Sequence, residues 1–188
     1  NADIYIKSKS GMSPLDLARA NGYEKILTVV LKSVAEEKAI EETALLEYNF
    51  LKQEFEGKSP NWKNDKGNSI LEIAVRYERF SEVKQLLETG ADANIFNLEM
   101  ETPLMVACDR GNYRIAKLLI DYNAEINFQT KTGNTPLMSA AFHGKPDIVQ
   151  LLLDKGAIAS AKNEVGDNAL SIASRYGHTL IVQMLLDK

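Results

Sequence analysis

The chain has 188 residues, of which 22 are basic and 26 acidic, and it contains one cysteine, Cys108. The slightly acidic balance argues against a nucleic-acid surface, which normally carries a basic stripe, and no apolar run reaches the length of a membrane-spanning helix. A lone cysteine excludes an intrachain disulfide and fits a reducing compartment, so we expect a cytoplasmic protein, or one delivered into a host cytosol as part of a secreted effector.

The sequence repeats with a period of 33 residues. Four polar residues lie 33 positions apart, and leucine follows each of them two residues later: Ser69, Thr102, Thr135 and Asn168. A period of this size predicts a solenoid, because one such unit cannot bury its apolar face alone. Each unit predicts a short first helix, capped by a polar side chain and ended by glycine, and then a second helix with apolar residues at helical spacing. The predicted fold class is all-α.

The residues within the period resemble the ankyrin repeat. Residues 102–107 and 135–140 are similar to the signature T-P-L-H-x-A, and residues 90–94 match the loop that closes a unit in that family. The resemblance implies an ankyrin-repeat solenoid of stacked helix-turn-helix units with projecting loops, forming a single domain over residues 1–188. The units are predicted at about 10–31, 63–94, 95–127, 128–160 and 161–188. None has histidine at the fourth signature position, so bonding between units must be supplied in another way.

Residues 32–57 interrupt the period between units one and two. They predict one extra helix, because Ser33 with Glu36 forms a capping box at its start. The apolar residues that then line one face of this helix are Ile40, Ala44, Tyr48, Leu51 and Phe55. We expect this stripe to pack against the second helix of unit one; the alternative is that it is offered to a partner. Trp62 is expected to cover the stripe.

The resemblance also implies a binding surface, since ankyrin stacks use loop tips and the ends of the first helices, which line a concave face. The residues predicted at those helix ends are Arg76, Tyr77, Asp109, Arg110, Phe142, His143, Arg175 and Tyr176. Arginine and tyrosine often dominate interface energies, so we expect a partner protein here; the alternative is an ordinary solvated row. A second candidate is the apolar loop tip of Phe96, Leu98 and Met100, which is either a contact surface or a local repacking around a lost glycine.

No pattern predicts catalysis, a cofactor or a metal site. His143 and His178 have no ligand spacing, and neither is placed to form a dyad with Cys108. We therefore expect a non-catalytic protein–protein interaction module. One alternative is a structural or regulatory arm that contacts another domain of a larger enzyme or toxin chain. Another is self-association through the C-terminal unit, whose Leu180, Ile181 and Met184 lack the polar face of a capping unit.

Overall fold

The computed structural model describes the backbone of residues 24–187 and most side chains from Ser33 onward. Residues 10–23 of the predicted unit one therefore lie outside the described residues. Contacts divide the chain into two compact units, residues 1–47 and 48–188. No helix of the described part is both long enough and apolar enough to cross a membrane.

The first helix described, α1, runs from Glu24 to Gln53 over 30 residues. The predicted start at Ser33 is wrong, because Ser33 and Glu36 lie inside this helix rather than at its N-terminus. No glycine or proline occurs between its ends, so nothing in the sequence breaks the helix at the capping-box pattern. The prediction that the stripe packs on a separate preceding helix is also wrong, since residues 24–31 and the stripe share one continuous helix.

Four helix pairs follow in the second compact unit, and each pair corresponds to one predicted repeat. Their bounds are α2 Ile70–Arg76 with α3 Phe80–Glu88, α4 Pro103–Arg110 with α5 Tyr113–Asp121, α6 Pro136–Phe142 with α7 Pro146–Asp154, and α8 Ala169–Arg175 with α9 Thr179–Leu186. Residues 24–187 hold no strand beyond an isolated antiparallel bridge between Lys63 and Ser69. The predicted all-α repeat fold is confirmed.

The first helix of every pair is capped by the residue that the period marks. The side chains of Ser69, Thr102, Thr135 and Asn168 each accept a hydrogen bond from the backbone N–H three residues later. Such a bond satisfies a donor that has no partner within the helix, and its loss costs about 1 kcal/mol. The periodic polar residues therefore set where each first helix begins.

Left-handed backbone recurs where the units turn, even where glycine has been replaced. Gly111 and Gly144 follow α4 and α6 with φ of 73° and 63°, and Glu78, at the equivalent position after α2, has φ 56°. Met100 likewise has φ 60°, where the sibling loops have glycine. Where glycine is replaced by Glu78 or Met100, the left-handed backbone conformation is therefore kept. Each non-glycine residue in this conformation costs about 1–2 kcal/mol.

The core of the second compact unit is continuous from α1 to α9. The first helices contribute Leu71, Leu104 and Leu137, which are essentially fully buried. From α1, Tyr48 is buried and Leu51 half-buried, and Phe55, just after the helix, is buried as well. Phe55 packs edge-on against Trp62, with ring centroids 5.2 Å apart, so the prediction that Trp62 covers the stripe is confirmed at Phe55. Ile40, at the other end of the stripe, is exposed.

Three asparagines spaced 33 residues apart bind each closing loop to the next one. Asn94 Nδ2 donates to the carbonyl oxygen of Asn123 at 3.1 Å, and its Oδ1 accepts from the N–H of Glu125 at 2.7 Å. Asn61 and Asn127 make the same pair of bonds, with the equivalent partners Gly90, Asp92, Gly156 and Ile158. These side chains supply bonding between neighbouring units without the signature histidine.

Candidate partner-binding surface

The ends of the first helices lie where the period predicts, and most of their side chains face solvent. Arg76, Arg110, His143 and Arg175 are exposed, as are Phe142 (43%) and Tyr176 (50%), while Asp109 is half-buried. Each first helix ends at or just before these residues, so its last turn presents them. We call the eight positions predicted above the first-helix ends.

Tyr77 departs from the expected pattern. It is half-buried, packs against the core, and its ring lies 6.0 Å from that of Tyr48 on α1. Tyr48 is itself fully buried, and burial, with a smaller contribution from Glu82, raises the pKa of its hydroxyl to about 12. Tyr77 therefore contributes to the packing of the core, unlike the exposed residues at the other first-helix ends.

Side chains from three successive units touch at the first-helix ends. The Phe142 ring packs edge-on against Tyr176 of the next unit, with centroids 4.5 Å apart. His143, beside Phe142, places Nδ1 3.5 Å from Asp109 Oδ1 of the preceding unit. Residues 34 positions apart in sequence thus meet on one surface, because stacked units bring nearly equivalent positions side by side.

Two adjoining cavities open on this surface. The aromatic cavity, of about 230 Å³, is lined by Asp109, Asn134, Met138, Ser139, Phe142, His143 and Ile172. The charged cavity, of about 310 Å³, is lined by Arg76, Glu101, Val106, Asp109, Arg110 and His143. Asp109 and His143 line both, so these two side chains form the wall between the cavities. Glu101, Met138, Ser139 and Ile172 were not predicted as site residues, because no local sequence pattern marks a residue as lining a cavity between units.

Asp109 is the carboxylate that lines both cavities. Burial raises the pKa of its carboxyl group and the charge of Glu101 adds to this effect, whereas the Ser139 hydrogen bond and the charges of His143 and Arg110 oppose it. His143 Nδ1 lies 3.1 Å from the carbonyl oxygen of Ser139, which can only accept, so Nδ1 carries a proton. Asp109 is therefore a partly desolvated carboxylate that its neighbours compensate incompletely.

A second carboxylate, Glu72, is buried beneath the first-helix ends. It occupies the fourth signature position, and burial raises its pKa although Arg76 and Asn97 bind it. Arg76 Nη2 lies 2.5 Å from Glu72 Oε1, and Asn97 of the next unit bonds to both Glu72 and Glu101. The signature predicts only that the histidine is absent at this position. The sequence signal for this network is the four-residue spacing of Glu72 and Arg76, which places both side chains on one face of the helix.

The loop tip before α4 is packed against neighbouring loops and is also partly exposed. Leu98 packs so closely on Gly67 of the preceding loop that a Cβ on this glycine would lie 2.6 Å from Leu98 Cγ, yet Leu98 remains 60% exposed. Lys63 Nζ lies 4.3 Å from the centroid of the Phe96 ring, and Phe96 also contacts Phe128. Met100, in its left-handed conformation, is half-buried. The tip is thus repacked around its neighbours and still presents apolar surface.

Within the part of the chain whose side chains are described, no group of three or more histidine, cysteine, aspartate or glutamate residues is placed to hold a metal ion. Cys108 is fully buried, and burial raises the pKa of its thiol. His178 lies on Gly144 and places Nε2 3.0 Å from the carbonyl oxygen of Phe142. The histidine at this position therefore has a structural contact between units.

The chain belongs to the ankyrin-repeat family, whose pattern of three repeat copies matches residues 39–130 and 122–188. Ankyrin repeats are generally protein–protein interaction modules. The chain is 31% identical over 110 residues to the transient receptor potential cation channel subfamily A member 1 homolog of Caenorhabditis elegans, a match that covers 53% of this chain and 9% of that protein. It is 39% identical over 61 residues to the I-Kappa-B like protein C2 of Microplitis demolitor bracovirus (isolate Webb), covering 31% of this chain and 34% of that protein.

Proposed function

We propose that this chain is a non-catalytic module that binds a partner protein through the first-helix ends and the neighbouring loop tips. The observation that carries the proposal is the contact of Asp109, His143, Phe142 and Tyr176 from three successive units around two adjoining cavities. Exposed aromatic and arginine side chains beside cavities are typical of the residues that dominate interface energies.

The scaffold also favours binding because it holds these side chains in place before a partner arrives. Phe142 packs against two rings, those of His143 and Tyr176. Arg175 makes two hydrogen bonds to Asp167, at 2.7 and 2.8 Å. Side chains that are already ordered lose less conformational entropy on docking, so more of the contact energy is retained in the affinity.

The proposal is tested by a pull-down from lysate with the intact chain and with the double variant Arg110→Ala/Tyr176→Ala. Tyr77 is left unchanged because it packs against the core. The matched control is Lys117→Ala/Gln150→Ala, which removes two exposed side chains from the second helices α5 and α7. We expect one or more proteins to be retained by the wild type and the control and lost with the double variant, at similar melting temperatures. Equal retention by all three proteins would contradict the assignment of this surface.

A separate variant, Phe96→Ala/Leu98→Ser, tests the second candidate surface at the loop tip. If the loop tip contributes, the same partner is retained more weakly by this variant. Unchanged retention would assign the loop tip to packing alone.

A second function, as an arm that contacts another domain of the same chain, is favoured by one comparison. The matched segment makes up only 9% of the channel homolog, so in that relative the similar region is part of a much longer protein. Crosslinking within a longer chain that carries these repeats tests this alternative. Crosslinks from the first-helix ends to a neighbouring domain would support it, and their absence would favour a partner in trans. Self-association through the C-terminal unit stays a prediction: of the three residues named for it, Leu180 is exposed, whereas Ile181 is buried and Met184 is half-buried. Sedimentation at several concentrations tests it.

A further inference from the structure

The aromatic cavity has an asymmetric lining. Met138 and Ile172 provide apolar surface, and the exposed ring of Phe142 adds an aromatic wall. Polar groups of Asp109 and Asn134 also line it. Its volume of about 230 Å³ exceeds the roughly 150 Å³ of a protein cavity that binds benzene, so it can hold one long side chain. The lining therefore fits a side chain with an apolar stem and a polar end.

The charges of the lining residues indicate whether the polar end of such a side chain would be a cation or an anion. Asp109 is the one carboxylate among the seven residues that line the aromatic cavity. Across the unit boundary, His143 Nδ1 lies 3.5 Å from Asp109 Oδ1 and 3.1 Å from the carbonyl oxygen of Ser139, so it is shared between two acceptors. Ser139 also hydrogen-bonds Asp109 and Arg110 lies near it, yet burial still raises the pKa of the Asp109 carboxyl group. A cation entering the cavity would compensate this carboxylate, and the Phe142 ring would attract the same cation through its π face.

We propose that the aromatic cavity accepts an arginine side chain from the partner segment, with the guanidinium bound to Asp109 and stacked on Phe142. Arginine fits better than lysine because its planar group can donate two hydrogen bonds to one carboxylate and stack on a ring at the same time. This inference rests on the proposed function, since it specifies what the partner presents at the first-helix ends.

The test is an NMR titration of the intact, isotope-labelled chain with N-acetyl-arginine-N-methylamide, compared with the citrulline analogue, which has nearly the same shape and no charge. We expect the arginine probe to shift the backbone amide signals of Asp109, Ser139 and His143. The citrulline probe should bind about tenfold more weakly, because it loses a charge-assisted hydrogen bond worth more than about 1.4 kcal/mol. Equal shifts with both probes, or no shifts at these amides at saturating arginine probe, would overturn the proposal.

Two variants give independent readouts. Asp109→Asn keeps the shape of the side chain and removes its charge, so arginine should bind no better than citrulline. Phe142→Ala should weaken the arginine probe, whereas the control Lys117→Ala should bind it as the wild type does. Undiminished selectivity for arginine in Asp109→Asn would refute the role of this carboxylate. The two tests can fail separately. If the pull-down retains no partner but the arginine probe binds selectively, the result counts against the proposed function alone. If a partner is retained through Arg110 and Tyr176 but the cavity shows no selectivity for arginine, the result counts against the cavity assignment alone.

Discussion

Removing the side chain of Asn94 tests how strongly neighbouring units depend on the loop bonds. Asn94→Ala eliminates two hydrogen bonds to the next unit, at 3.1 Å to the carbonyl oxygen of Asn123 and at 2.7 Å from the N–H of Glu125. Each intramolecular hydrogen bond contributes a net of about 0.5–1.5 kcal/mol. Because both partners are backbone groups in an exposed loop, water recovers part of this energy. We therefore expect a loss of about 1–2 kcal/mol in the free energy of unfolding.

For a chain of this size, each kcal/mol corresponds to a change of about 2–4 °C in melting temperature, so the expected fall is about 2–8 °C. The assay is urea unfolding followed by circular dichroism, with thermal melting as a second measurement. Asn127→Ala, which removes the equivalent bonds to Gly156 and Ile158, should cause a similar loss. Gln129→Ala, at an exposed position in the neighbouring loop, is the control and should leave stability unchanged.

The variant Asn94→Asp separates the two bonds. Its carboxylate can still accept from the N–H of Glu125, but it cannot donate to the carbonyl oxygen of Asn123. We expect a loss at least half that of Asn94→Ala. If Asn94→Ala and Asn127→Ala both stay within about 0.3 kcal/mol of the wild type, the loop bonds do not couple the units, and the reasoning from their geometry fails.

Three further predictions concern groups near the candidate site. Burial raises the pKa of Glu72 above its ordinary value of 4.5, so the wild type should lose stability relative to Glu72→Gln as the pH rises above this value. Urea unfolding of both proteins at pH 5 and 7.5 measures the difference, and parallel pH profiles would contradict the prediction. Gly144→Ala should lower the free energy of unfolding by more than about 1 kcal/mol, and by more than Gly177→Ala does. Both glycines have left-handed backbone, but only at Gly144 would a Cβ meet His178, at 2.5 Å. Equal falls in melting temperature for the two variants would refute the contact argument. Cys108 should react with a thiol reagent such as Ellman's reagent only on unfolding, and rapid labelling of the native protein would contradict its full burial.

Local signals in the sequence predict most of the repeat fold. The caps at Thr102 and Thr135 act on backbone groups three residues away, so the start of each first helix can be read without the rest of the chain. The same local reasoning fails at Ser33, since a capping box can begin a helix only if the preceding residues are not already helical. There the helix runs through from Glu24.

The sequence by itself determined the 33-residue unit, its two helices and the positions that would face outward, because these depend on interactions within a few residues. Only the tertiary structure decided which of those positions are available to a partner. Tyr77 is half-buried and packs beside Tyr48, 29 residues earlier in the chain, whereas Phe142 and Tyr176 meet on the surface. The aromatic cavity likewise exists only between units, where Asp109 faces side chains of the following repeat. The physical reason is that a period repeats positions but not side chains, so each contact between units depends on the particular pair that stacking brings together.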